Sequence, residues 1–183
     1  MLTDLLRRKY AATFSLYDTD GNGTVEQSDF ERVAERWAQR AGLAPDSGPY
    51  ADIHDTLLGI WSLVRTMGRP DGDGVTLDGW MVAAERVVEA KDDEDMLEQG
   101  YREPARRLFG VMDRDGDGRV SEAEYEAYLG AYGVEGEPAR VAFGHLDRDG
   151  DGAITADEWV ENVVEFYFSD DPAAPGNWYI GPH

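Results

Sequence analysis

The sequence predicts an all-α protein of four helix–loop–helix units, arranged in two pairs that form one compact globule. Three observations carry that reading. Apolar residues return at spacings of three, one and three in stretch after stretch, the period of a helix buried on one side. Between these stretches lie twelve-residue segments rich in Asp and Gly. A β-branched residue stands eighth in such a segment, as Val120 and Val75 do, and suits a short strand that pairs with a second segment.

Residues 113–124, Asp-Arg-Asp-Gly-Asp-Gly-Arg-Val-Ser-Glu-Ala-Glu, carry the chemistry. A hard divalent cation needs six or seven oxygen ligands and one sharp turn within such a loop. Asp113, Asp115 and Asp117 stand first, third and fifth, and Gly118 makes the turn. Arg119 offers its carbonyl, Ser121 stands ninth, and Glu124 closes the site with both oxygens. Ser121 and Glu124 also form a capping box, so one segment holds the ion and starts the exiting helix. This is a complete EF-hand loop for Ca²⁺. Residues 147–158 repeat it with Asp147, Asp149, Asp151, the Ala153 carbonyl, Thr155 and Glu158, and Thr155 with Glu158 is a second capping box.

In chain order, Thr3 and Asp4 start a helix whose face is Tyr10, Thr13, Phe14 and Tyr17. Residues 18–29 follow as a first loop, with Asp18, Asp20, Asn22, the Thr24 carbonyl, Glu26 and Asp29 at the ligand positions. Asp29 is one methylene shorter than Glu, so two-oxygen contact requires the loop to contract, which favours Mg²⁺ over Ca²⁺ there. Phe30, Val33, Ala34 and Trp37 line the exiting helix, which stops at Gly42. Pro49 opens the next helix, expected to bury Ile60, Leu63, Val64 and Met67, and Trp80, Ala83, Ala84 and Val87 then repeat the exiting face.

Those two faces frame residues 68–79 as the second loop, with Gly68, Pro70, Gly72 and Gly79 where ligands should stand. A frame set instead by the Asp-Gly-Asp-Gly string at 71–74 puts Arg69 first and Trp80 twelfth, which is no better. The second hand is therefore read as degenerate, a structural partner for the first. Residues 91–99 form a charged connector with a short helix, and Pro104 stands near the start of the third entering helix, with Ala105, Leu108, Phe109 and Met112 inward. Tyr125, Tyr128 and Leu129 follow the third loop. Gly133 and Pro138 bound the turn to a fourth entering helix with Ala139, Ala142, Phe143 and Leu146 inward, and Trp159 and Val163 carry the last helix to about Phe168. The pairs divide as 1–91 and 92–168. The tail, 169–183, is non-helical, but Trp178, Tyr179 and Ile180 are apolar enough to dock on the body, where they fill the groove a partner helix would use.

Composition narrows the function. The 17 Lys and Arg against 38 Asp and Glu leave a net charge of −21, which argues against nucleic acid and anionic membranes and makes cations the expected partners. Without cysteine there is no disulfide, thiolate metal site or thiol nucleophile. The N-terminal segment lacks a signal peptide's apolar core and no run reaches membrane-spanning length, so a cytoplasmic, monomeric protein with no membrane insertion is expected; its protein target, if any, is not legible. No catalytic triad is visible, and the paired carboxylates are taken by the loops, so no enzyme is expected. Apo loops concentrate like charge, and three ions, two charges each, take −21 to about −15, so folding is expected to couple to metal.

Three loops starting at Asp18, Asp113 and Asp147, a broken loop at Gly68 and a tail around Asn177 and Trp178 resemble the sarcoplasmic calcium-binding proteins, including calerythrin. The resemblance covers essentially the whole chain. It implies two EF-hand pairs packed together, binding Ca²⁺ and Mg²⁺ in a buffering role. The alternative is a calcium sensor that opens a Met-rich groove, but Met1, Met67, Met81, Met96 and Met112 are too few and too scattered to mark one. A remoter alternative is a photoprotein-like small-ligand binder recruiting His54, Trp61, Trp80, Trp178 and Tyr179; aromatics at helical spacing are more often core, and His54, His145 and His183 read as structural or solvated.

Overall fold

The computed structural model describes residues 1–182; His183 lies outside the described residues. Helix α1 (Asp4–Tyr17) begins where the Thr3 hydroxyl accepts from the Leu6 N–H at 3.3 Å. After the first loop come β1 (Thr24–Val25) and α2 (Gln27–Ala41), which ends at Gly42 in the left-handed conformation, φ +67°. Helix α3 (Gly48–Met67) is capped by Ser47, so Pro49 stands second in it, a position that needs no N–H. The second unit continues through β2 (Pro70–Asp71), β3 (Gly74–Thr76) and α4 (Leu77–Glu89).

In the second half, α5 (Glu94–Leu97) runs without a break through a π-helical turn (Glu98–Arg102) into α6 (Glu103–Met112). Pro104 therefore stands second in α6, near its start as expected, but within one continuous helical run. A proline ring clashes with the carbonyl four residues back, here Gly100, and the widened turn gives it room. Beyond are β4 (Arg119–Ser121), α7 (Glu122–Ala131), α8 (Glu137–Leu146), β5 (Ala153–Thr155) and α9 (Ala156–Phe168), then a 3₁₀ turn (Pro175–Trp178) within the otherwise irregular tail.

The short strands join the units in twos. β1 pairs antiparallel with β3, setting Val25 opposite Val75, and β4 pairs with β5, setting Val120 opposite Ile154. All four side chains are fully buried. The register makes Val75 the counterpart of Val25, so the second loop is framed at 68–79, as the helical faces require. β2 adds to β3 as a hairpin turning at Gly72, φ +62°, a feature the sequence pattern did not suggest.

One hydrophobic core spans both pairs, with α2 against α7, α3 against α6 and α1 against α9. Tyr17 stacks on Phe30 at 4.2 Å, and Trp37 meets Tyr128 edge-on at 5.0 Å across the junction of the pairs. The predicted inward faces are buried with one exception. On α3 the buried residues are Ile53, Thr56, Leu57 and Trp61, while Ile60, Leu63, Val64 and Met67 are only partly covered. They face a cavity of about 70 Å³ between the pairs, whose wall also includes Tyr10, Trp80 and Tyr179. A helix with apolar residues on two adjoining strips does not announce which strip its partners will close over.

Candidate metal centres

The first, third and fourth loops share one backbone scaffold. In the third, Asp113 accepts from the N–H groups of Gly116, Asp117 and Gly118 at 2.9, 3.1 and 2.9 Å, Asp115 accepts from Asp117, and Asp117 accepts from Arg119 at 2.8 Å. The fourth repeats this with Asp147, Asp149 and Asp151. In the first, Asp18 accepts from Asn22 and Gly23, Asp20 from Asn22, and the Asn22 amide oxygen from Thr24 at 2.7 Å. The short Asx side chains turn the backbone around themselves. The sixth residue must take a positive φ, and Gly23, Gly118 and Gly152 do so at +83°, +83° and +92°.

The donor set fits a hard divalent cation. One carboxylate oxygen each from Asp113, Asp115 and Asp117 lie within 4.8 Å of one another, as do those of Asp147, Asp149 and Asp151. The twelfth residues are held ready beside them. Glu124 accepts from Arg114 N–H at 2.9 Å through one oxygen and from Ser121 N–H at 2.9 Å through the other, and Glu158 does the same with Arg148 and Thr155. Both expected capping boxes are present. Burial works to raise the pKa of Glu124, but the Ser121 N–H and hydroxyl and the Arg114 and Asp115 N–H groups outweigh it and hold the carboxyl below its ordinary range. Glu158 is lowered in the same way.

The first loop differs at its twelfth position. Asp29 is fully buried, one oxygen accepts from the Glu26 N–H at 2.8 Å, and the other is occupied by the Thr19 N–H, the Thr19 hydroxyl and the Arg32 guanidinium at 3.2, 2.7 and 2.5 Å. Arg32 also reaches Thr19 at 2.8 Å and Asp20 at 3.4 Å. A cation supplied by the chain is thus bound to two candidate ligands. The guanidinium of Arg119, whose carbonyl is itself a candidate ligand, likewise pairs with Asp151 of the neighbouring loop and lowers its pKa. Neither role was legible, because an Arg beside an acidic loop has no sequence mark that separates a clamp from a solvated side chain.

In the second loop a Cβ at Gly68 would meet the carbonyl oxygens of Val64 and Gly79 at 2.7 and 2.9 Å, and one at Gly79 would meet that of Arg69 at 2.4 Å. Backbone crowds the first and twelfth positions, whereas Gly72 at the fifth borders open space. Asp73 is fully exposed, and among the described residues the acidic string at 71–74 gathers no group of three close carboxylates.

An EF-hand family model matches residues 11–34, 106–129 and 140–164. Over 90% of this chain and 98% of the other, the structure is similar to that of a Streptomyces coelicolor calcium-binding protein described for prokaryotic calcium-mediated regulation, at 30% identity and a TM-score of 0.76. The chain belongs to the calerythrin and sarcoplasmic calcium-binding protein family of EF-hand proteins. Within that family, calerythrin of Saccharopolyspora erythraea is 23% identical over 92% of this chain and 95% of its own length, and the sarcoplasmic calcium-binding protein of Hediste diversicolor is 24% identical over 73% and 72%. The fold also matches a coelenterazine-binding protein of Renilla muelleri, with a TM-score of 0.72 at 23% identity, a likeness of fold alone. Among the described residues, no helix is long and apolar enough to cross a membrane.

Proposed function

We propose that this EF-hand protein is a cytoplasmic, monomeric, non-enzymatic Ca²⁺ and Mg²⁺ buffer with four hands, the second degenerate, divided as 1–91 and 92–168 with the tail from 169. Asp18, Asp20, Asn22, Thr24, Glu26 and Asp29 hold the first ion, Asp113, Asp115, Asp117, Arg119, Ser121 and Glu124 the second, and Asp147, Asp149, Asp151, Ala153, Thr155 and Glu158 the third. A bound ion supplies two positive charges at the point where each loop's like charges converge. The family model passes over residues 68–79, in keeping with a hand that holds no metal.

The observation that carries the buffer reading is the tail. Tyr179 and Ile180 are 6% and 7% exposed, Tyr125 donates to the Tyr179 carbonyl at 3.2 Å, and the Tyr128 and Tyr179 hydroxyls bond at 3.0 Å. The Tyr179 ring packs on Trp159 and Phe166 at 5.1 and 5.4 Å. Surface that a sensor exposes to its target is thus covered by the chain itself. Among the described residues, the large apolar side chains most open to solvent are Met1, Leu77 and Val141, far apart in sequence.

The regulatory relative favours a second reading, a sensor whose tail is released by calcium. Calorimetric calcium titration with and without millimolar Mg²⁺, followed by binding of a hydrophobic dye, separates the two. A buffer binds three ions, competes with Mg²⁺ and gains no dye signal; calcium-dependent dye binding establishes the sensor. A photoprotein-like role has less support, since the interior cavity is lined by tyrosines and Trp80 while His145 stacks on Trp178 at 4.1 Å, outside that lining.

A further inference from the structure

The third and fourth loops carry the same residue at their second position, Arg114 and Arg148, and each gives its backbone N–H to the closing carboxylate. Their side chains differ. The Arg148 guanidinium turns back along α9, where Nε donates to the Asn162 amide oxygen at 3.0 Å and one terminal nitrogen donates to Glu165 at 2.6 Å. The other terminal nitrogen lies 3.5 Å from Glu161. Among the described residues, the Arg114 guanidinium has no hydrogen-bond or ion-pair partner. Asn162 is fully buried and is fixed from its other end as well, its amide nitrogen donating to the Leu146 carbonyl at 2.8 Å. Arg148 and Glu165 are 20% and 26% exposed, so solvent screens the pair only in part.

Glu165 then meets the tail. The oxygen that accepts from Arg148 also accepts from the Gly176 N–H at 3.0 Å, in the 3₁₀ turn. The approach is close enough to need glycine: a Cβ there would stand 2.5 Å from the Asn162 carbonyl oxygen and 2.6 Å from the Glu165 Cβ. The Gly176 carbonyl in turn accepts from the Tyr179 N–H at 3.0 Å. Arg148 thus holds the closing Glu158 with its backbone and, through Glu165, the tail with its side chain.

We propose that Arg148 couples the fourth loop to the tail, so that calcium in that loop fastens the tail onto the body rather than releasing it. An ion drawn to Glu158 fixes the backbone at Arg148, which leaves the guanidinium less freedom to lose in holding Asn162 and Glu165. Such coupling is reciprocal, so a docked tail raises calcium affinity at the fourth loop by the factor by which calcium favours docking. It rests on the reading that the fourth loop holds calcium, and it deepens the buffer reading, because loading closes the surface a sensor would open.

Calcium titration of the full chain followed by NMR tests this. The Gly152 amide, which donates to Asp147 at 2.9 Å, reports loading of the fourth loop, and hydrogen exchange at the Tyr179 amide reports undocking of the tail. In the wild type, loading is expected to slow Tyr179 exchange about fivefold, the low end of typical couplings. Arg148→Met keeps an apolar stem and the backbone N–H to Glu158; it should raise the Gly152 midpoint about fivefold and abolish the calcium response at Tyr179. Gly176→Ala strikes the same path from the tail and should raise the Gly152 midpoint by a similar factor. Arg114→Met, the matched change in the third loop, should leave the Tyr179 response intact. Unchanged or faster Tyr179 exchange on loading, a full response in Arg148→Met, or wild-type midpoints in both Arg148→Met and Gly176→Ala overturns the coupling alone. A Gly152 amide that ignores calcium overturns the metal reading of the fourth loop and the coupling with it.

Discussion

The two halves of the molecule solve the same problem differently. In the C-terminal pair both loops gather three Asp carboxylates and close with a Glu pinned at two backbone N–H groups. In the N-terminal pair the first loop closes with an Asp clamped by Arg32, and the second closes on its own backbone, Gly68 against Gly79 with a hairpin between. Both pairs nonetheless present the same antiparallel contact, Val25 with Val75 and Val120 with Ile154. A loop with Gly68, Pro70, Gly72 and Gly79 at the ligand positions thus presents the same strand contact as loops that gather three carboxylates.

The sharpest way to break this comparison is to remove a closing carboxylate. Glu124→Gln and Glu158→Gln are each expected to lower calcium affinity at their own site by about two orders of magnitude and to lower Tm in calcium but not in chelator. Calorimetry reads the first effect and paired thermal melts the second. Next in size is the tail on the C-terminal pair: Tyr179→Ala removes a buried ring and its hydrogen bonds and should cost about 3 kcal/mol by urea unfolding, with new binding of a hydrophobic dye.

In the second loop, Gly79→Ala pushes a Cβ against the Arg69 carbonyl and should cost about 2 kcal/mol without changing calcium stoichiometry. Asp73→Asn, on a fully exposed residue, should change neither. Loss of an ion in either variant would show that the second loop does hold metal. In the first loop, Arg32→Gln frees Asp29 and Asp20 of their guanidinium and should raise calcium affinity there about threefold, roughly the strength of a partly exposed ion pair. The other two sites are the internal controls.

A pH-dependent effect concerns the seam between the halves. Lys9 on α1 is fully buried and donates to the Ser169 carbonyl at 2.8 Å, just past the end of α9. Burial pushes its pKa down to about 8, against the pull of Glu165, Asp170 and Asp171. The folded chain therefore sheds this proton before the unfolded chain, whose lysine titrates near 10.5, so this group adds stability as pH rises from about 8 toward 10.5. The buried tyrosines, raised in the fold, act in the opposite direction once unfolded tyrosine ionises near 10. Urea unfolding in calcium between pH 8 and 10 should rise for the wild type and flatten for Lys9→Met.

The turn geometry of the candidate loops was legible because each is a contiguous code: Asx turns, one glycine and a capping carboxylate act within twelve residues. The frame of the second loop was legible too, since helical faces on either side count residues independently of ligands. Arg32 on Asp29, Lys9 at the end of α9 and Arg148 on Glu165 were not. Each depends on which side chain meets which across the fold, and an Arg or Lys reads the same from sequence whether it is solvated or enclosed. The strip of α3 that faces a cavity, and the π-turn that accommodates Pro104, belong with these. By itself the sequence determined the helices, the loops and their likeness to known calcium binders, all of which follow from short-range periodicity and local hydrogen bonding. Only the tertiary structure decided which charges are clamped, where the tail lies and which cavities remain, because those are settled by packing between residues far apart in the chain.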